Sequence, residues 1–459
     1  MLDKRKTIYL CLAHLSEDGS EQKYVKEAFD TNWVVPMGPN VNAFEGELEK
    51  FVKSGNEEAL KDSKVVCLSA GTAAVHLALL SCGVEAGDEV IVQSFTFCAS
   101  SHPITYLGAK PVFVDSEEDT WNMDQELLES AIIDRKLKIG KYPKAIVVVA
   151  LYGMPYKIDR IIEIANKYGI PVVEDAAEGM GSRYNGQVLG TFGQFGILSF
   201  NGNKMITTSG GGALICRNND DANTAMWYAT QARDAYPYYE HTAIGYNYRM
   251  SNVCAGIGRG QMTVLEQHIA HHRHVQKLYK ELFSDIKGIT LHEQPNVINT
   301  ATGEPVYDSN YWLCAATIDE NVKIHGQESV YKEVIRTAVG GAAGVIKAVN
   351  SAVTDCQPND NVEALRVYML SKGVECRPVW KPMHKQPVYS KGSLVVGQGE
   401  TNTGKEYDII DGPKMSAYIN GTSEKVFKVG FCLPAGPYVS DDDVKYIVDC
   451  IREAIVDQN

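Results

Sequence analysis

The spacing of hydrophobic positions changes along the chain, and the changes outline an architecture. Between residues 64 and 217, short β-branched runs alternate with helical stretches. The runs fall at 65–68, 89–94, 111–115, 145–151, 171–174, 196–200 and 212–216. Between them lie amphipathic segments such as 158–168, where Ile161, Ile162, Ile164 and Ala165 repeat at helical spacing. Strands that are apolar on both faces and alternate with helices predict a mostly parallel, seven-stranded sheet flanked by helices. From 252 to 282 the period becomes long and helical, which suits a bridge to a second unit. The remainder mixes short strands with a closing helix near 441–456 and predicts a smaller α+β domain. The predicted boundaries are 30–262 for the large domain and 263–459 for the small one, with 1–29 packing on the latter. Two stretches read as insertions. Residues 322–361 contain AVGGAAGVIKAVNSAV, and 391–423 contain GQGETNTGKEYD.

Composition narrows the function classes. A chain of 459 residues is too long for one simple core, in keeping with two domains. Its net charge of −13 disfavours nucleic acid and anionic membranes, but does not bar a phosphorylated substrate in a local pocket. No apolar run reaches the roughly 18 residues of a membrane span. The first residues, MLDKRKTIYLCLAHLSEDG, are too mixed for a signal peptide, so a cytoplasmic protein is expected. The eleven cysteines show no CxxC spacing and read as reduced, buried side chains. His268 and His272 stand four apart, but with His271 and His274 they read as a polar helix face, and no metal site is expected.

Three segments carry candidate chemistry. In LSAGTAAVHLALL a strand ends, Ser69-Ala70-Gly71-Thr72 turns, and a helix begins. Free N–H groups at a helix start bind a phosphate, and Thr72 adds a hydroxyl. Taken alone, this is also an ordinary strand–helix junction. In PVVEDAAEGMGS, Asp175 stands at a strand's carboxyl end, where ligands of open α/β sheets bind. Pyridoxal 5′-phosphate (PLP) needs such an anion to keep its ring nitrogen protonated. A helix-capping Asp is the plainer alternative. In FGILSFNGNKMITTSGGGALICR, a strand reaches Ser199, Lys204 follows in a polar loop, and glycines lead into another strand. Lysine forms imines with PLP and shuttles protons, although a lone loop lysine is usually just solvated. The three segments together are the parts of one PLP site in a workable chain order.

The chain resembles the DegT/DnrJ-type sugar-nucleotide aminotransferases, which are fold-type I PLP enzymes. The matching stretches are WVVPMGPNVNAFE, residues 69–77, GDEVIVQSFTF, PVFVDSEEDTWNMD, LYGMPYKIDRI, VVEDAAEGMGS, SFNGNKMITTSGGG, GYNYRMSN, RPVWKPMH and FCLPAG. The SFNGNK form most resembles enzymes that aminate C4 of UDP-4-keto-6-deoxy-N-acetylglucosamine. The resemblance implies that Lys204 bears the Schiff base and Asp175 pairs with the pyridinium. It implies phosphate contacts from Ala70, Gly71, Thr72 and Ser199, and a stacking ring from Phe97. Asn247 resembles the residue that reaches a neighbouring subunit's phosphate, which implies a homodimer with shared active sites. Trp33, Lys381 and His384 lie in stretches that imply substrate contacts.

Glu178 stands where many members have Gln or His to donate to the cofactor's phenolic oxygen. A carboxylate donates only when protonated, so Glu178 is neutral, bridged by water, or in another role. The implied reaction moves an amino group from glutamate to a nucleotide-linked keto sugar. GDP- or dTDP-linked sugars are alternatives, as is a non-catalytic regulator on the same fold. Relatives that remove a hydroxyl carry His in place of the lysine, and Lys204 stands against that variant.

Overall fold

The computed structural model describes residues 7–330, 356–390 and 393–456. In chain order the main elements are α1 (Ser20–Asp30), α2 (Pro39–Lys53), β1 (Lys64–Leu68), α3 (Gly71–Ser81), β2 (Glu89–Gln93), β3 (Lys110–Val114), α4 (Gln125–Ile139), β4 (Ala145–Val149), α5 (Ile158–Tyr168), β5 (Val172–Asp175), β6 (Phe195–Ser199) and β7 (Gly212–Cys216). There follow α6 (Asn252–Met262), α7 (Leu265–Phe283), β8 (Ile289–Leu291), β9 (Cys314–Ile318), α8 (Asp360–Ser371), β10 (Arg377–Pro378), β11 (Val395–Glu400), β12 (Glu406–Asp411), β13 (Ser416–Ile419), α9 (Thr422–Val429), β14 (Gly430–Leu433) and α10 (Asp441–Ala454).

All seven predicted strands form, and they join one sheet in the order β1-β7-β6-β5-β4-β2-β3. The pairings from β6 to β3 are parallel, and β7 alone runs against both its neighbours. Strands β2 and β4 are buried along their whole length, as their unbroken Val/Ile runs require. Apolar cores cover both faces. One gathers Phe44, Leu48, Leu128 and Ile161, and the other Leu77, Leu79, Phe113 and Phe195.

The sheet does not stop at seven strands. Strand β13 pairs in parallel with β3, and β12 and β11 continue antiparallel, so the sheet has ten strands. These three strands come from the stretch read as the insertion 391–423, a correction to the seven-stranded expectation. The other insertion, 322–361, lies for the most part outside the described residues.

The small domain is a four-stranded antiparallel sheet, β8-β9-β14-β10, packed with α7, α8 and α10. Helix α10 starts with a capping box between Ser440 and Asp443, the role its acidic first turn suggests. The amino-terminal segment is divided. Ile8 pairs with Val374 and joins the small domain's core, whereas α1 packs on α6 of the large domain. The boundary at 263 therefore does not separate the sheets, since β11–β13 belong to the first.

The histidines of α7 divide: His274 is exposed and meets Asp441, but the pair read as part of a polar face is not on one. His268 and His272 are buried, and each Nδ1 meets a backbone oxygen, of Met205 and Tyr311, at 3.1 Å. No helix among the described residues is long and apolar enough to cross a membrane.

Candidate active site

Where β5 and β6 end, a cavity of about 570 Å³ opens beside the start of α3. Ala70 is extended (φ −164°, ψ 155°), and no side chain caps α3. Its first-turn N–H groups are thus open to an anion, and Gly71 and Thr72 line the cavity. Space dictates the glycines here. A Cβ on Gly71 would lie 3.1 Å from Ser199 Cβ, and one on Gly212 would lie 2.3 Å from the Gly71 nitrogen. The glycine run lets β7 pass against the turn without closing it, and Ser199 adds its hydroxyl to the same wall.

Asp175 is buried at the end of β5. Its Oδ2 accepts from Ser100 Oγ at 2.6 Å, and Oδ1 from the Ala177 N–H at 3.2 Å. Burial raises its pKa, opposed by those two hydrogen bonds and the charge of Lys204. A carboxylate so placed gains from a cation brought into the cavity.

The Lys204 loop is closed by its own N–H, which donates to Asn201 O at 3.0 Å. Lys204 Nζ lies 3.2 Å from Glu178 Oε1 and 4.1 Å from the ring centroid of Trp312. Glu178 Oε2 accepts from the Tyr152 N–H at 2.8 Å. Tyr152 adopts a left-handed φ of 54°, rare for a bulky side chain. Burial pushes the Glu178 carboxyl up to about 6, against the pull of Lys204 and the Tyr152 N–H. Of the alternatives left open for Glu178, its place in the structure is a third one: it is the ion-pair partner of the loop lysine.

Phe97 is half exposed on the cavity wall, its ring 5.4 Å from that of Trp380. The set fits PLP group by group. An uncapped helix start with two hydroxyls suits the phosphate, a buried carboxylate the ring nitrogen, an aromatic ring the pyridine face, and an amine the carbonyl.

The three expected substrate contacts lie off the cavity wall, and Asn247, expected at the neighbouring subunit's site, is exposed. His384 is buried, with Nδ1 2.6 Å from Ser94 Oγ and Nε2 3.1 Å from Glu424 Oε1. Both ring nitrogens are engaged by protein groups, and His384 does not line the cavity. Lys381 Nζ donates to Cys356 O at 2.9 Å, away from the cavity wall. Trp33 sits on the exposed loop before α2, where its carbonyl accepts from Asn252 Nδ2 at 3.0 Å. Asn247 is exposed and does not line the cavity of its own chain.

Sequence reasoning missed Ser100, Trp312, Glu375, Arg377 and Trp380, which all line or support the cavity. Arg377 and Trp380 carry their signal within RPVWKPMH, beside the basic Lys381 and His384. Trp312 comes from NYWLC, far along the chain, and carries no local signal.

Comparisons with known proteins agree with this geometry. The family model described as the DegT/DnrJ/EryC1/StrS aminotransferase family matches residues 15–343. EpsN of Bacillus subtilis (strain 168) is 36% identical over 97% of this chain and 95% of its own. GDP-perosamine synthase of Escherichia coli O157:H7 is 30% identical over 98% of this chain and 100% of its own. In fold, the chain matches a DegT DnrJ EryC1 StrS aminotransferase from Brucella abortus with a TM-score of 0.72 at 23% identity, covering 95% of each. The aminotransferase TlmJ from Streptoalloteichus hindustanus matches with a TM-score of 0.72 at 24% identity, covering 98% of each.

Proposed function

Because the chain belongs to the DegT/DnrJ/EryC1/StrS aminotransferase family, a family of PLP-dependent sugar-nucleotide aminotransferases, we propose that it moves the amino group of glutamate onto the keto carbon of a nucleotide-linked 4-keto-6-deoxy sugar, with UDP as the nucleotide. The observation that carries the reading is the meeting of Lys204, Asp175 and the uncapped start of α3 in one cavity.

PLP, when bound, supplies an electron sink for the carbon that bears the amino group. The roles of this chain's residues follow from their positions. Lys204 Nζ is the amine that joins the cofactor and carries the proton between carbons. Asp175 holds the positive charge of the ring nitrogen, with Ser100 fixing the carboxylate's orientation. The Gly71 and Thr72 N–H groups and the Ser199 hydroxyl hold the phosphate, and Phe97 covers the ring.

The protein works as a homodimer in which Asn247 of each copy serves the other's site. This is supported by the exposure of Asn247 and by uncovered apolar side chains, among them Trp33, Met37, Tyr238, Tyr239 and Ile244. A GDP-linked sugar is a second reading, favoured by the GDP-perosamine synthase that aligns along its whole length.

Turnover against a panel of UDP-, GDP- and dTDP-linked keto sugars, with glutamate as donor, tests the proposal. Amination of the UDP-linked sugar supports it, and preference for the GDP-linked one selects the second reading. Failure with every sugar, while another keto substrate turns over, overturns the substrate class.

A further inference from the structure

The amine of Lys204 has a second neighbour besides Glu178. The indole face of Trp312 lies 4.1 Å from Nζ, while Glu178 Oε1 lies 3.2 Å away. A π-face together with a carboxylate makes a receptor for a cation. Both halves hang on one scaffold. Asn310, fully buried, donates through Nδ2 to Glu178 O at 2.7 Å and Met180 O at 2.9 Å. Its Oδ1 accepts from the Trp312 N–H at 2.9 Å. Trp312 Nε1–H then donates at 2.7 Å to the carbonyl of Asn203, the residue before the lysine. The scaffold is tightly fitted, since a Cβ on Gly153 would lie 1.9 Å from Asn310 Oδ1. Trp312 is thus tied directly to the backbone beside the lysine and, through Asn310, to the backbone of Glu178.

We propose that Trp312 is a positioning residue and that, with Glu178, it forms a receptor for the free ammonium of Lys204, the place the side chain occupies whenever it is not joined to the cofactor. The inference rests on the reading of Lys204 as the amine that joins PLP. When that link opens, water adds, the bond between the lysine nitrogen and the cofactor carbon breaks, and the nitrogen leaves as an ammonium. A receptor for the ammonium favours the released state, and so works against the covalent hold. A mere wall of the cofactor pocket acts in the opposite direction.

The test is PLP retention in full-length protein, measured by equilibrium dialysis. Four chains are compared: wild type, Trp312→Leu, Lys204→Ala and the double variant. A cation–π contact corresponds to a change of roughly 2- to 30-fold. Trp312→Leu therefore holds PLP about that much tighter than wild type, and Trp312→Phe, which keeps an aromatic face, stays within about two-fold of wild type. In the Lys204→Ala background, replacing Trp312 produces no tightening. Weaker or unchanged retention in Trp312→Leu, or equal tightening without Lys204, overturns the proposal.

Should Trp312→Leu fail to fold, fluorotryptophan in place of the chain's five tryptophans weakens the ring's hold on a cation while keeping its shape. Tighter PLP retention is then expected in the fluorinated wild-type chain and not in fluorinated Lys204→Ala, and no tightening in the former, or equal tightening in both, overturns the proposal. Borohydride trapping separates the two levels. A wild-type chain in which PLP is not fixed to Lys204 sinks the underlying assignment. A trapped wild type with an indifferent Trp312 defeats the receptor alone.

Discussion

Replacing Arg135 tests how the extra strands are fastened to the sheet. This side chain on α4 is fully buried. Its Nε and Nη2 donate to the two carboxylate oxygens of Glu89 on β2, at 2.8 and 2.6 Å, and Nη1 donates to Asp411 on β12 at 3.1 Å. Arg135→Leu strands these carboxylates unequally. Asp411 keeps Lys110 at 2.9 Å and Ser416 Oγ at 2.6 Å, whereas among the described residues Glu89 keeps only Lys110, at 3.9 Å. Breaking a buried ion pair from one side costs about 3–5 kcal/mol, so we expect a loss of that size, borne chiefly by Glu89. Changing Glu89→Leu as well removes the stranded charge and should recover most of it.

Urea unfolding of both variants at neutral pH reads the change as a shift in midpoint at constant slope. Acid supplies a second check. Hydrogen bonds from Ser416, Lys110 and Arg135 outweigh burial and hold Asp411 well below its ordinary value of 3.8. A lowered carboxylate stabilises the fold above its unfolded pKa and loses that contribution as pH falls through the folded one. The part of the gap between wild type and Arg135→Leu that Asp411 carries should therefore be full at pH 7 and shrink below about pH 4. A loss under about 1 kcal/mol, or a gap that widens in acid, would refute the reasoning.

Three further outcomes follow from the site. Lys204→Ala should bind PLP without borohydride-stable attachment and lose turnover by several orders of magnitude, and substantial retained transamination removes the assignment. Asp175→Asn keeps the contour of the site but not its charge, so we expect kcat to fall by about 100-fold or more while PLP stays fixed to Lys204, and a variant as fast as wild type makes Asp175 merely structural. Mixing Asn247→Ala chains, themselves strongly impaired, with Lys204→Ala chains should restore activity that neither parent has, because both lesions then fall on one of two shared sites; no recovery despite verified subunit exchange sinks the shared-site arrangement.

The seven original strands were legible because each is a short β-branched run buried on both faces, flanked by helical periods. Strands β11 and β12 were not. Every residue of β11 except Gly399 is exposed, so no buried face imposes a hydrophobic alternation, and its glycines and polar residues read as turns. The cofactor side of the cavity was legible too, because Gly71, Asp175, Ser199 and Lys204 each sit at a strand end or turn with its own local signature. The opposite wall was not. Trp312 reaches the cavity only through tertiary packing, with nothing beside it in the chain to mark it, and Arg377 stands in RPVWKPMH beside Lys381 and His384, which drew the substrate role instead. His384 shows the converse: its basic neighbourhood resembles a substrate contact, and in the fold both ring nitrogens meet Ser94 and Glu424. Glu178 was visible as a departure from the usual Gln or His, but its pairing with Lys204 needed the folded loop.

The ten-stranded sheet also sets a timetable for synthesis. Asn420, just past β13, donates to the carbonyl of Ser116, just past β3, across a sequence separation of 304 residues. At roughly 5–20 residues per second, β3 waits about 15–60 s on the ribosome for the strand that covers it. During that time its edge, rich in valine and phenylalanine, is open to any other extended chain. Nascent chains halted before residue 416 should therefore depend on chaperones, or aggregate, in a way that chains extended past β13 do not. The strands that complete the sheet are the ones that protect it from its neighbours on the same messenger.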